Sequence, residues 1–161
     1  MLFLCMKIKL VTIAKTDAGY LKEGIALYVS RLKHYVNFEY VEIPALKNAA
    51  KLELIELKRR EGAELLSHIE TSSIVVVLDE AGREYTSPGF SKFIQQQMNS
   101  GAKTLIFLVG GAFGFSEEVY KRANFKLALS QMTFSHQMVR LFFVEQVYRA
   151  FTILKGEGYH H

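Results

Sequence analysis

Apolar and polar positions along the 161-residue chain fall into runs that resolve most of it into strands and helices. Residues 7–14 begin with charged and apolar residues in alternation (Lys7, Ile8, Lys9, Leu10) and then turn apolar, as in a strand with one face partly exposed. Leu21, Ile25, Tyr28, Val29 and Leu32 recur at helical spacing, which predicts a helix capped by Asp17 and running to Tyr35. Residues 38–43 read as a second strand stopped by Pro44. Leu52, Ile55, Leu65 and Leu66 place a helix over residues 49–69, with Lys58, Arg59 and Arg60 on its polar face. Residues 73–78 and 104–109 are continuous apolar, largely β-branched runs, the mark of strands buried on both faces of a parallel sheet. A polar loop over 79–85 and a helix from Pro88 to residue 99 lie between them. After a glycine-rich turn at 110–114, Ser116 with Glu117 and Glu118 reads as an N-cap and an acidic first turn. A short strand over 125–129, a loop over 130–134 and a long helix over 135–154 complete the order.

Strands alternating with helices predict an α/β fold, a mainly parallel sheet flanked by helices, in one domain over residues 1–161. The apolar start lacks a basic leader region and is broken by Lys7 and Lys9, so it is no signal peptide; residues 1–5 read as an extension before Met6. No stretch approaches the roughly 20 apolar residues of a membrane span. Cys5 is the only cysteine and the five histidines lack zinc spacing, so neither a disulfide nor a metal site is expected, and a reducing cytoplasm is the simplest setting. A net charge of +4 suits a polyanionic partner, and it is uneven: residues 1–60 hold 11 Lys and Arg against 6 Asp and Glu. An ordinary solvated surface explains that asymmetry equally well.

In open parallel sheets, ligands bind beyond the carboxyl ends of the strands, which singles out residues 78–82, 110–114 and 129–134. The turn Gly110-Gly111-Ala112-Phe113-Gly114 lets backbone approach a ligand, and it is neither a dinucleotide fingerprint nor a Walker loop. A tight strand-to-helix connection that binds nothing is an equal reading. The last helix is apolar around its whole axis, which calls for cover on several sides; a second copy of the chain is the natural source. Two polar pairs interrupt it, His136 with Arg140 and Glu145 with Arg149, each spaced i,i+4. Buried charges need partners or a task, so all four are site candidates, and a structural ion pair is the plain alternative for the second pair. Residues 156–161 end in Tyr159-His160-His161. They read as a frayed end or an affinity-tag remnant on one view, and as groups that stack on a base or relay a proton on the other.

Taken together, Val77–Gly82, Val109–Gly114, Ser130–Arg140, Glu145–Ala150 and Tyr159-His160 closely resemble, in order, the ribosomal RNA large subunit methyltransferase H family of the SPOUT class. The resemblance spans the chain from Met6 onward. It implies a C-terminal trefoil knot in the α/β fold, a homodimer, S-adenosylmethionine as methyl donor without a metal, and neither DNA nor membrane as partner. The implied substrate is 23S ribosomal RNA within the assembled ribosome, methylated at N3 of a pseudouridine in the loop of helix 69. Carried over by motif, the donor pocket comprises Leu78, Gly110, Gly111, Leu129, Ser130, Gln131, Met132, Thr133 and Phe134. His136, Arg140, Tyr148, Arg149, Tyr159 and His160 fall on the substrate side, with His136, Arg140, Arg149, Tyr159 and His160 as catalytic candidates in a functional tail and helix. Two positions depart from the pattern. Ser135 stands where many members have proline and is expected to cap the helix, and His161 replaces a terminal Lys or Arg. Another SPOUT enzyme acting on tRNA or a different ribosomal site, and a non-catalytic ribosome-assembly protein, are the rival readings.

Overall fold

The computed structural model describes residues 6–160; the expected extension at 1–5 and His161 lie outside the described residues. Five strands form one sheet, β1 (Lys7–Ile13), β2 (Asn37–Ile43), β3 (Ile74–Glu84), β4 (Thr104–Val109) and β5 (Phe125–Ala128). Their order across the sheet is β2-β1-β4-β3-β5, and every pairing is parallel. All five carboxyl ends therefore point to one side of the molecule.

Side chains along each strand alternate between two cores, as the period of two requires. Ile8 and Leu10, Val76, and Leu105, Phe107 and Val109 face a core closed by three helices, α1 (Gly19–Leu32), α3 (Ser87–Asn99) and α5 (Met138–Leu154). Val11 and Ile13, Val75 and Val77, and Ile106 and Leu108 face the opposite core, under α2 (Leu54–Ser67) and α4 (Glu117–Arg122). Burial of β1, β3 and β4 on both faces is what their continuous apolar runs predict.

Several boundaries differ from expectation, each for a local reason. Ala18 rather than Asp17 is the N-cap of α1, and it makes no side-chain cap; the Asp17 amide donates instead to Gln137 at 3.0 Å. The helix stops at Leu32, where a tight turn takes over with the amides of Tyr35 and Val36 both bonded to the Leu32 carbonyl. The helix expected over 49–69 is two pieces, a 3₁₀ turn at Ala49–Lys51 and then α2, because Leu52 and Glu53 are extended. The loop expected over 79–85 is largely strand. Leu78 and Arg83 both pair with Leu127 of β5, so residues 79–82 bulge out and the chain then rejoins the sheet. Gly82 sits so close to β5 that a Cβ there would lie 2.6 Å from the Leu127 backbone. Helix α3 is capped by the Thr86 hydroxyl, and α4 by Ser116 as expected. Helix α5 begins at Met138, whose amide bonds to the Ser135 hydroxyl at 3.0 Å, so Ser135 does serve the first turn.

Helix α5 lies between α1 and α3, which supply much of the lateral cover that the sequence reading assigned to a second subunit. Among the exposed residues of this layer are three large apolar side chains, Phe142 on α5, 43% exposed, and Tyr20 and Leu27 on α1.

Candidate active site

The bulge within β3 and the segments following β4 and β5 enclose a cavity of about 500 Å³ at the carboxyl edge of the sheet. The 110–114 turn folds back on itself, with a bridge between Gly111 and Gly114, and Gly114 takes φ +86°, a conformation that glycine reaches without steric cost. Opposite it, the bulge and the 129–134 run are tied together by Thr133, whose hydroxyl donates to Glu80 at 2.8 Å. Ser130 accepts the Met132 amide at 3.0 Å, which turns that run around the opening. On the cavity floor Tyr120 donates to Asp79. Burial first, and then this bond, push the Tyr120 hydroxyl up to about 12, so it remains a donor at neutral pH.

Of the donor-pocket candidates, Leu78, Gly110, Gly111, Leu129, Ser130, Met132, Thr133 and Phe134 line this cavity. Gln131 does not; it is exposed beside it. His136 lines the cavity at the entrance to α5. Phe113 and Met132 line the cavity yet are 60% and 78% exposed, so they form an apolar part of its opening.

Arg140 takes a different place from its i,i+4 neighbour. It is fully buried and is not part of the cavity lining. Its Nη2 donates to the Ile13 carbonyl (2.6 Å), Nη1 to the Ala14 carbonyl (2.9 Å) and Thr16 hydroxyl (3.1 Å), and Nε to the His136 carbonyl (2.9 Å). Glu42 is its ion-pair partner at 3.4 Å. Ala14 holds φ +66°, a conformation a non-glycine residue keeps only where its surroundings over-determine it. The Arg140 bond and the bond from the Ala14 amide to the Ile43 carbonyl (2.7 Å) supply that constraint. Arg140 thus pins the end of β1 to the start of α5 and fixes the backbone of His136.

The remaining catalytic candidates form a separate cluster. Arg149 donates through Nε and Nη2 to Glu145 Oε1 at 3.1 and 2.6 Å, and its guanidinium lies 4.8 Å from the Tyr159 ring centroid. The Tyr159 hydroxyl donates to the same Glu145 oxygen at 3.0 Å. Its single proton is committed there, so the 3.1 Å contact with Tyr28 is a bond donated by Tyr28. Tyr148 packs edge-on against Tyr159, and Tyr35 donates to Glu157 at 2.6 Å, which seats the tail on α1 and α5. Burial, then the Tyr28 and Glu145 bonds, push the Tyr159 hydroxyl far above its ordinary value, so it acts here as a donor and not as a base. His160 follows, half-buried, in the closing 3₁₀ turn Gly158–His160. As far as His160, the tail is therefore held against the protein through Glu157 and Tyr159.

Eleven residues of helix, about 16 Å along its axis, separate Met138 from Arg149. Within one chain the cavity with His136 and the cluster with Arg149 and Tyr159 are two places. The sequence reading did not single out Asp79 with Tyr120 on the cavity floor, or Tyr28 in the cluster. Only the polar Asp79 at a strand end carried a signal for the first. Tyr28 read as one apolar position of α1, with nothing to mark its hydroxyl.

Comparison with known proteins identifies the family. The family described as "Predicted SPOUT methyltransferase" matches residues 6–160. A protein of Cytophaga hutchinsonii is 57% identical over 156 residues, covering 97% of this chain and all of its own length, and is named ribosomal RNA large subunit methyltransferase H. Proteins of the same name from Christiangramia forsetii and Parabacteroides distasonis are 56% and 51% identical, each over 97% of this chain and 99% of their own. A glycine-lined cavity at the carboxyl edge of a parallel sheet and a full-length match converge on one assignment: the chain belongs to the ribosomal RNA large subunit methyltransferase H family of SPOUT methyltransferases.

Proposed function

We propose that this enzyme transfers a methyl group from S-adenosylmethionine to N3 of a pseudouridine in the helix 69 loop of 23S ribosomal RNA, acting on the assembled ribosome in the cytoplasm. The observation that carries the reading is the cavity itself. It has room for a nucleoside-sized donor, lies at the carboxyl ends of the strands, and is lined by the residues named above for the family's donor pocket. Its walls fit that group: glycine backbone without side chains at Gly110 and Gly111, apolar surface from Leu78, Leu129 and Phe134, and the Ser130 and Thr133 hydroxyls. In the same proposal, the bulge at 79–82 and the 129–134 run belong to the trefoil knot of the family.

When bound, the donor supplies an electrophilic methyl group on a sulfonium. The chain's own work is alignment and control of one proton. N3 of the base must shed its hydrogen before its lone pair can attack. His136, on the cavity wall, is placed to accept that proton. A cation facing N3 favours the anion. Arg140 is fully buried with Nε, Nη1 and Nη2 all donating to protein acceptors, which leaves the role to Arg149. Among the described residues, the partly exposed Arg149 guanidinium is paired with Glu145 through Nε and Nη2 only, beside Tyr159 in the tail cluster.

Because cavity and cluster stand apart in one chain, the proposal includes a homodimer in which the tail of one protomer completes the cavity of its partner. The exposed Tyr20 and Leu27 on α1, beside α5, support a self-complementary contact there. Calorimetric titration with S-adenosylmethionine and methyl-transfer assays on 70S ribosomes, free subunits and tRNA test the reading. Donor binding with transfer to 70S ribosomes is expected. Transfer to tRNA instead moves the substrate, and absence of donor binding removes the enzymatic reading.

A further inference from the structure

A second chamber of about 220 Å³ adjoins the cavity and shares Leu127, Ala128, Leu129 and Phe134 with it as a common wall. It opens between the start of α3 and the middle of α5, and lies below the roughly 300–1,000 Å³ that whole ligands fill. Its other walls are aromatic, with Phe90 on α3 and Phe142 on α5, whose ring is 5.1 Å from that of Phe134. A flat heterocycle suits such walls.

The polar groups in the chamber act as a unit. Ser87 donates to Oε1 of Gln146 at 3.0 Å, and Nε2 of Gln146 donates to Glu145 at 2.9 Å. A carboxylate only accepts, so the amide nitrogen must face Glu145, and the orientation of the amide is determined. These bonds use half of its capacity and leave one N–H and one carbonyl lone pair for a ligand. Glu145 in turn holds Arg149 and Tyr159. The chamber therefore borders the donor-pocket wall, and of the tail cluster it touches only Glu145, through Gln146.

We propose that this chamber receives the acceptor base and that Gln146 reads its N1–H and O2 edge. The proposal rests on the pseudouridine reading given above and deepens it. In pseudouridine the sugar is attached at C5, so N1 keeps a hydrogen beside the O2 carbonyl. An amide pairs with that edge by two bonds, N1–H to Oε1 and Nε2–H to O2, and leaves N3 unobstructed. In uridine N1 carries the sugar and the donor is gone. Gln146 is thereby a specificity-determining residue that separates the isomer from the parent nucleoside.

The test is the ratio of single-turnover methylation rates on ribosomes carrying pseudouridine or uridine at the target position. Wild-type protein is expected to prefer pseudouridine. Gln146→Leu is expected to lower the pseudouridine rate, and with it the ratio, by about tenfold to a hundredfold, the worth of one bidentate pair. Its donor affinity should match wild type. Ser87→Ala, which frees the amide without removing it, gives a smaller loss in the same direction and keeps the question answerable if Gln146→Leu fails to fold. A folded variant with the wild-type ratio overturns the proposal. A loss confined to S-adenosylmethionine affinity gives the chamber to the donor's adenine and overturns it too. Wild-type protein that binds donor yet methylates neither ribosome overturns the underlying substrate reading, a failure recognisable because it needs no substitution.

Discussion

The cavity and the tail cluster are built by opposite means. The cavity is mostly backbone and apolar wall from the β3 bulge and the segments after β4 and β5, and its few side-chain bonds, Thr133 to Glu80 and Tyr120 to Asp79, tie those segments together. The cluster is almost entirely side chain, with Glu145 gathering Arg149 and Tyr159, and with Tyr28 and Tyr148 packed around them. A site for a constant donor is well served by a rigid backbone cradle, and a site that handles charge on a substrate by a network of donors and acceptors. The two should therefore fail differently when perturbed.

The largest effect is expected at Arg140, which belongs to neither region and holds the end of β1 to the start of α5. Arg140→Met leaves the Ile13, Ala14 and His136 carbonyls and Glu42 without their buried partner, and should cost about 3–5 kcal/mol of stability in urea unfolding. A change under 1 kcal/mol would show that the β1 end holds its conformation without the arginine. Next is His136→Ala, expected to slow single-turnover transfer about 10²- to 10³-fold while donor affinity stays constant. Lost donor affinity instead would make His136 a part of the cradle.

Tyr159→Phe removes the bond to Glu145 and should cost about 1 kcal/mol, read as faster proteolytic cleavage of the tail with donor affinity unmoved. Reduced donor affinity would mean that the tail takes part in holding the donor. The smallest effect concerns pH. Tyr120 is raised in the folded protein to about 12 from its ordinary 10.0, so the stability it confers is complete below pH 10 and lost as pH rises from 10 towards 12. Tyr120→Phe should flatten the denaturation midpoint across that window, and an unchanged slope would remove Tyr120 from the account.

The same contrast explains what the sequence disclosed. The buried runs of β1, β3 and β4 stood out because solvent is excluded from both faces, and every residue of those runs reports it. The second half of β3 was hidden, because Asp79 to Glu84 is charged and becomes strand only by pairing Arg83 and Glu84 with β5. The 129–134 run carries no periodicity; its place after β5 marked it as a ligand-binding segment, and the family resemblance then named its residues one by one. His136 and Arg140 were found together as polar interruptions of an apolar helix. Spacing alone does not distinguish a side chain that faces a cavity from one that turns into the protein to hold carbonyls. Gln146 was passed over beside Glu145, since an amide on a helix surface looks ordinary until Ser87 and the chamber are seen around it.

The central claim is that cavity and cluster are two halves of one site joined across a dimer. Mixing His136→Ala protein with a Tyr159→Ala/His160→Ala double variant, under conditions that exchange subunits, tests it directly. Each variant alone should be nearly inactive on 70S ribosomes. The mixed dimer has one site with an intact cavity and an intact tail, so an equal mixture should regain about a quarter of wild-type activity. No recovery, with subunit exchange verified, would contradict the claim.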